Sequence, residues 1–195
     1  MLRTSRPLPA SAAWEHRDAR VGFEVAYLEV HGGGHRWHGC TTALEDGQPW
    51  IVTYDIFCDG DWRTRWARIT GTSAARTSAV VLEADGQGAW RINGFPEPAL
   101  VGCLDVDLES SALTNALPVH RLALSPGETR PAPAAYVRAP GLAVHRLEQT
   151  YRREVDEERR QRYHYTAPAF GYAAHLVYDE AGLVLDYPRI ARREG

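Results

Sequence analysis

The chain alternates apolar and polar positions over most of its length. In "GFEVAYLEV" (22–30), Phe23, Val25, Tyr27 and Glu29 fall on one face of an extended chain. Alternation with this period predicts β-strands that bury one face and expose the other. The alternation recurs in "PWIVTYDIFC", "DWRTRWARI", "TSAVVLEADGQGAWRIN", "CLDVDL", "VHRLAL", "AAYVRA", "AVHRLEQTYRREV", "QRYHYTA" and "YAAHLVYDEAGLVLDY".

Turn signals separate the predicted strands. Asp59-Gly60 and Asp85-Gly86 are dipeptides typical of tight hairpin turns. Such signals recur at roughly 8–12-residue spacing, as in antiparallel barrels and sandwiches. We therefore predict a mainly β fold, an antiparallel barrel-like or rolled sheet with little helix.

One segment is compatible with either a helix or a hairpin. In "EQTYRREVDEERRQR" (148–162), Glu148 with Arg152 and Asp156 with Arg160 have the spacing of helical ion pairs. No apolar stripe of helical period accompanies these pairs, so a buried helix is not favoured. The preferred prediction is a long hairpin that turns at "DEER".

The chain also contains an internal similarity. "VTYDIFCDGDWRTRWARI" resembles "HLVYDEAGLVLDYPRI", since each runs from a strand through Tyr-Asp and a glycine turn to Arg-Ile. Two similar half-units would explain this, and so would chance similarity between hairpins; both interpretations stay open. We predict one β domain over 14–190, with an N-terminal tail at 1–13 and a C-terminal tail at 191–195.

Composition adds exclusions rather than a function. The 195 residues are 44% hydrophobic, the net charge is −3 and the pI is about 6.2, so nothing indicates a nucleic-acid partner. Cys40, Cys58 and Cys103 are odd in number and form no C-x-x-C, which favours a reducing compartment over a disulfide framework.

No targeting or membrane segment is predicted. "MLRTSRPLPASAAW" has early arginines and a run like a cleavage site, but it lacks the apolar run of a signal peptide. No stretch approaches the roughly 18 apolar residues of a membrane span. We therefore expect a soluble, cytoplasmic protein.

One cluster of histidines and a cysteine suggests a metal site. His31, His35, His38 and Cys40 are potential metal ligands in "HGGGHRWHGC" (31–40), but a glycine-rich hairpin turn explains this run more simply. No phosphate-binding glycine loop is present either, so neither a metal nor another cofactor is predicted.

Asp105 and Asp107 lie two residues apart and would share one strand face. Together with a histidine such as His120, they could form the acid–base site of a hydrolase or isomerase. A solvated or hydrogen-bonded strand face is the simpler interpretation of the two carboxylates. The enzyme is therefore kept as an alternative hypothesis.

The stretch "DVDLESSALTNALPVHRL" (105–122) begins as a strand and continues into a polar run threaded with leucines. Within it, "SSALTNAL" is a candidate short helix ended by Pro118. The run would close one end of the barrel, with its side chains capping backbone groups. Alternatively, Thr114 and Asn115 point inward and bind ligand hydroxyls.

The aromatic positions suggest an apolar interior. A regular strand over "DWRTRWARI" places Trp62, Thr64 and Trp66 on one face and Arg63 and Arg65 on the other. A buried tryptophan gains roughly 2–3 kcal/mol, whereas an unpaired buried arginine costs several. We therefore predict that the tryptophans line the interior unless a bulge intervenes, and that the arginines lie outside and pair with acids from neighbouring strands.

Five stretches of the chain, taken in order, resemble the bacterial putative glycolipid-binding protein family, formerly of unknown function. They are "DGDWRTRWARI", "DVDLESSALTNALPVHRL", "AAYVRAPGLAVHRLEQTYRR", "YHY" and "LVYDEAGLVLDYP". The resemblance runs over about 14–190. It implies an all-β fold similar to that of bacterial lipoprotein carriers, and a glycolipid as ligand.

We therefore expect an amphipathic ligand, a lipid or glycolipid, in an apolar cavity. Head-group anchors are predicted at Asn115, Tyr163 and Tyr165, near a barrel mouth. A protein-interaction module that uses its outer β surface is a further alternative. The predicted ligand-binding residues are Trp62, Trp66, Trp90, Thr114, Asn115, Tyr163 and Tyr165.

Overall fold

The structure, a computed structural model, describes residues 7–18 and 20–194. The described chain is mainly β, with one short α-helix, α1 (Ala116–Leu122), and three 3₁₀ turns at Pro98–Leu100, Leu113–Asn115 and Pro168–Phe170. Its strands are β1 (Ser11–His16), β2 (Val21–His31), β3 (Gly34–Glu45), β4 (Gln48–Cys58), β5 (Thr64–Ser73), β6 (Thr77–Ala84), β7 (Trp90–Ile92), β8 (Phe95–Pro96), β9 (Asp105–Leu108), β10 (Thr129–Pro131), β11 (Ala134–Val137), β12 (Val144–Leu147), β13 (Thr150–Arg153), β14 (Gln161–Ala167), β15 (Tyr172–Tyr178), β16 (Val184–Tyr187) and β17 (Ala191–Glu194).

Fourteen of these strands form one antiparallel sheet in the order β10-β13-β14-β15-β16-β17-β1-β2-β3-β4-β5-β6-β7-β8. Two meanders, β13–β17 and β1–β8, are joined where β17 pairs with β1. A small second sheet has the order β12-β11-β9, with β9 and β11 parallel. The predicted mainly antiparallel β fold is confirmed.

The large sheet rolls around the segment that carries β9 and α1. Thr41 of β3 donates to the carbonyl of Ser110 at 2.7 Å, and Tyr151 of β13 donates to Asn115 at 3.0 Å. Strands far apart in the sheet order thus contact the same short segment. The segment lies across the concave face and fills the interior between the sheet's two halves.

Two predicted hairpins are confirmed. β4 and β5 pair across the turn that contains Asp59 and Gly60. β13 and β14 pair across the "DEER" turn, where Glu158 and Arg159 have positive φ angles of 49° and 66°. The first turn was predictable from its Asp-Gly dipeptide, and the second from the absence of an apolar stripe of helical period.

The more apolar face of β2 is the exposed one. Phe23, Val25 and Tyr27 are exposed, and the buried positions include Glu24 and Ala26. Four hydrogen-bond donors surround Glu24 in the interior and offset the cost of burying its carboxylate. Alternation along one strand carries no information about those donors.

The prediction for β5 is wrong in part, because a bulge interrupts its pairing with β4. Thr64 pairs with Cys58 and Trp66 pairs with Phe57, so Arg65 is an extra residue between them. The bulge keeps Thr64 inside but moves Trp66 to the outer face.

The predicted strand "VHRLAL" and the predicted helix end at Pro118 are also wrong. These residues belong to α1, which continues to Leu122. Proline is tolerated at Pro118 because the first N–H groups of a helix have no partner within it.

The predicted tails contain strands. Residues 11–13 belong to β1 and residues 191–194 form β17, and Ala13 lies opposite Glu194 in the sheet. "ARRE" has too little apolar alternation to be recognised as a strand. Residues 1–6 and 195 of the predicted tails lie outside the described residues.

No helix in the described part of the chain is long and apolar enough to cross a membrane.

Candidate functional site

A buried carboxylate holds the start of the 3₁₀ turn before α1. Glu24 accepts hydrogen bonds from the Tyr54 hydroxyl at 2.6 Å, the Ser111 hydroxyl, and the backbone N–H groups of Ala112 at 2.7 Å and Leu113 at 3.4 Å. Burial raises the pKa of Glu24, while these donors act to lower it. This carboxylate satisfies donors that a helical segment would otherwise leave unpaired.

Thr114 and Asn115 also have structural partners. The Leu108 N–H donates to the Thr114 hydroxyl at 3.2 Å, and that hydroxyl donates to Asp107 at 3.1 Å. The Tyr178 hydroxyl donates to the Asn115 carbonyl at 3.3 Å. The structure supports the interpretation that the polar run caps and anchors backbone, and it gives no support to ligand binding by these two buried side chains.

Asp105 and Asp107 are engaged in the same interior. Asp105 is 0% exposed and accepts two hydrogen bonds from the Arg121 guanidinium, at 2.9 and 2.5 Å. Burial raises the pKa of Asp107 to about 6, although the Thr114 hydroxyl opposes this. Neither carboxylate lines the cleft described below. These contacts explain both residues without an acid–base site.

The cysteine–histidine run does not converge on one point. His38 stacks on Tyr27 on the outer face, with ring centroids 5.4 Å apart, whereas His35 faces the cleft. Among residues 7–18 and 20–194, no group of three or more His, Cys, Asp or Glu side chains could hold a metal ion.

A cleft of about 1070 Å³ opens at one end of the rolled sheet. Its walls come from the β2–β3 hairpin, the loop before β5, the end of α1, the β13–β14 hairpin and the turn before β16. This volume is at the upper end of the roughly 300–1,000 Å³ usual for ligand pockets. The apolar lining residues are Pro7, Leu8, Leu28, Val30, Trp62, Val119, Ala123, Leu124 and Tyr163. The charged and polar lining residues are Glu29, His35, His120, Arg153, Asp156, Arg159, Gln161 and Glu180.

A three-ring stack forms one wall of the cleft. The Trp62 indole lies between the imidazoles of His35 and His120, with centroid distances of 3.7 and 4.0 Å and interplanar angles of 10° and 13°. Trp62 is positioned by a turn rather than by a strand, since its φ is 65° and its N–H donates to the Asp59 carbonyl at 3.0 Å.

Both imidazoles are kept neutral by their surroundings. Burial, together with a smaller effect of the neighbouring His35, lowers the pKa of His120 to about 4. Burial also lowers the pKa of His35. At neutral pH each ring therefore presents one donor and one acceptor instead of a positive charge.

Only part of the predicted set of ligand-binding residues lies in the cleft. Trp62 and Tyr163 line it. Trp90 is buried elsewhere and donates to the Cys103 carbonyl at 2.8 Å, and Tyr165 packs in a tyrosine cluster against Tyr151.

The prediction that Trp66 lines the interior is wrong. Trp66 stacks on Phe57 on the outer face, and the Arg68 guanidinium lies 4.3 Å from its ring centroid. Arg65 pairs with an acid as predicted, Asp59 at 3.5 Å, but this acid lies in the turn before β5 and not on a neighbouring strand. The prediction is wrong for Arg63, which donates to the Gly86 carbonyl. Sequence reasoning missed the pairing of His35 with His120 because 84 intervening residues separate them, and only the folded sheet brings them together.

The chain belongs to the family described as "Putative glycolipid-binding", which it matches over residues 11–193. The family resemblance seen in the sequence is thereby confirmed.

A crystal structure of a DUF1089-family protein from Pseudomonas aeruginosa is similar to this chain. The TM-score is 0.77 and the identity 31%, over 88% of this chain and 92% of that one. A β-barrel-like protein of the domain of unknown function DUF1849 from Brucella abortus has a TM-score of 0.53 at 12% identity, over 97% and 96% of the two chains. This second likeness shows the barrel-like fold alone. No curated protein matches the chain.

Proposed function

We propose that the protein binds an amphipathic ligand, with its apolar chain in the cleft and its polar head at the rim, and that the ligand is a glycolipid. The observation that carries this proposal is the composition of the cleft. Leu28, Val119 and Leu124 supply apolar wall, while Glu29, Gln161 and Glu180 supply polar groups. Such a division is the usual form of a site that holds an apolar body and orients a polar end.

The size of the cleft supports a ligand larger than a metabolite. An acyl chain gains about 0.8 kcal/mol for each buried methylene, so a long chain is favoured along the apolar wall of this cleft of about 1070 Å³. The family description names glycolipids, which unite such a chain with a hydroxyl-rich head. A cytoplasmic location remains part of the proposal.

Uptake of a fluorescent lipid analogue tests the proposal, with two tryptophan variants as a matched pair. Trp62→Ala removes a ring that lines the cleft, so we expect affinity to fall about tenfold or more. Trp66→Ala removes an equally large ring from the outer face, so uptake should stay within about twofold of wild type.

Native mass spectrometry and lipid extraction provide the direct test. We expect wild-type protein to carry or take up a lipid with an acyl chain. Wild-type protein without extractable lipid and without saturable uptake would contradict the proposal. Equal losses in the two tryptophan variants would show that uptake does not occur in the cleft.

A further inference from the structure

The stack in the cleft wall leaves no free indole face. Because His35 and His120 cover both faces of Trp62, a sugar ring cannot lie flat on this tryptophan. The wall therefore offers a ligand the edges of three rings. Two of these rings are imidazoles, which can hydrogen-bond.

Each imidazole has one ring nitrogen without a partner. His35 Nδ1 and His120 Nε2 are shielded from solvent and have no hydrogen-bond partner among the described residues. Buried polar atoms of folded proteins are nearly always paired, and each exception calls for an explanation. Because both rings line the cleft, a group that enters from outside is a natural partner.

The fold makes room for His120 by means of a glycine. Gly182 has a φ of +81°, and a Cβ at this position would lie 2.9 Å from His120 Cε1. Only glycine combines this conformation with such a close approach. The position of this imidazole is thus set by the stack on one side and by the turn before β16 on the other.

The charges of the cleft argue against an anionic head group. Arg153 pairs with Asp156, and Arg159 pairs with Glu180 at 3.0 Å. Among the described lining residues, both guanidinium groups are therefore already engaged by carboxylates. A phosphate would meet these carboxylates and Glu29, whereas sugar hydroxyls can donate to all three.

We propose that the His35–Trp62–His120 stack is the head-group subsite of the cleft, and that its imidazoles select an uncharged, hydroxyl-rich head over a phosphate-bearing one. This inference rests on the proposed lipid-binding function and names the side chains that would bind the head group. A neutral imidazole has one donor and one acceptor, which match the two roles of a sugar hydroxyl. The subsite differs from the anchors predicted from sequence at Asn115, Tyr163 and Tyr165.

Detergents that share a dodecyl chain and differ in their head isolate the selectivity. Dodecyl maltoside and dodecyl phosphate, each below its micelle concentration, compete with the fluorescent lipid analogue. We expect wild type to bind the maltoside about tenfold more tightly, the equivalent of one or two hydrogen bonds. His35→Phe and His120→Phe keep an aromatic ring in the stack but lose the hydrogen bonds, so each should reduce this preference to about twofold or less.

His145→Phe serves as the matched control, because His145 is exposed on β12 outside the cleft, and it should keep the full preference. Both cleft variants should still bind the fluorescent analogue. If wild type shows no preference, or both cleft variants retain it, the subsite is wrong while lipid binding stands. If wild type fails to bind the analogue, the proposed function itself fails.

A spectroscopic readout does not depend on whether the variants fold. In wild-type protein, imidazole nitrogen resonances of His35 and His120 should shift with the maltoside and stay in place with dodecyl phosphate. Equal shifts with both detergents, or none with the maltoside, would overturn the proposal.

Discussion

At the scale of single residues, Glu24 shows how interior chemistry overrides a strand pattern. Its neighbours Phe23 and Val25 are more apolar, yet they are exposed, and Glu24 is 0% exposed. Since each of its partners is a donor, the site requires a group that can only accept. An ionised carboxylate is such a group.

Glu24→Gln should therefore destabilise the fold although the two side chains have nearly the same shape. The amide nitrogen can only donate, so it would face another donor and leave buried groups unpaired. We expect a loss of about 1–3 kcal/mol in the free energy of unfolding, measured with urea. Glu83→Gln is the control, because Glu83 is exposed on β6, and it should change stability by less than about 0.5 kcal/mol. Equal stability of the two variants would contradict the role assigned to Glu24.

A comparison of Gly182 with Gly94 separates the cost of backbone strain from the cost of a steric clash. Gly182 and Gly94 have φ angles of +81° and +83°, but nothing lies within 4 Å of a Cβ placed at Gly94. Both alanine substitutions incur the same backbone strain, and only Gly182→Ala adds the clash with His120. We expect Gly182→Ala to be the more destabilising by about 1–3 kcal/mol in thermal or urea unfolding. If the two substitutions have equal effects, the close approach to His120 does not affect stability.

At the scale of elements, the segment from β9 to α1 shows what sequence could and could not predict. Its strand and its capping residues followed from local chemistry, as alternation and hydroxyl side chains indicated. The continuation of α1 past Pro118 and the pairing of Asp105 with Arg121 depend on how the segment folds back on itself. A pattern along the chain does not contain that information.

The ion pair between β9 and α1 should be important for stability. Arg121 is largely shielded and Asp105 is fully buried, so removing the guanidinium leaves an uncompensated carboxylate in the interior. Arg121→Gln is expected to cost about 3–5 kcal/mol in urea unfolding. The exposed Arg192 of β17 offers the control, and Arg192→Gln should have little effect. A mild effect at Arg121 would favour an Asp105 that is free for other chemistry.

At the scale of the whole molecule, hairpins were predictable and the cleft was not. Turns such as Asp59-Gly60 reveal themselves locally, so the antiparallel architecture follows from the sequence. The cleft brings Leu28, Trp62, His120, Tyr163 and Gly182 together from five separate segments. One bulge in β5 was enough to place Trp66 on the outer face, although it was predicted to line the interior with Trp62.

Stability of the whole fold should depend on pH through its buried histidines. Burial lowers the pKa of His16 and of His120 from 6.5 to about 4. Between these values the unfolded chain binds more protons at these histidines than the folded protein does. Their contribution to stability is therefore complete above pH 6.5 and is lost as the pH falls towards 4. Each histidine contributes at most about 3 kcal/mol.

Asp107 has the opposite effect on the pH dependence of stability. Its pKa is raised from 3.8 to about 6, so the stability it contributes is present at low pH and is lost as the pH rises through 6.

A comparison of variants separates the histidine effect from that of Asp107. His120→Phe should flatten the decline between pH 6.5 and 4 in urea unfolding, and His145→Phe should leave it unchanged. Parallel curves for all three proteins would contradict a neutral, buried His120.

The pairing of β17 with β1 has a consequence for the order in which the protein can be made. On the ribosome, β1 emerges early, yet its partner at residues 191–194 is synthesised only after the sixteen strands that precede it. Until then the nascent chain exposes open edges on β1 and on β16, in the middle of the future sheet. Open edges are templates for pairing with other chains. A translation stop before residue 191 removes a very short strand, but it leaves β1 and β16 without the strand that pairs with both of them.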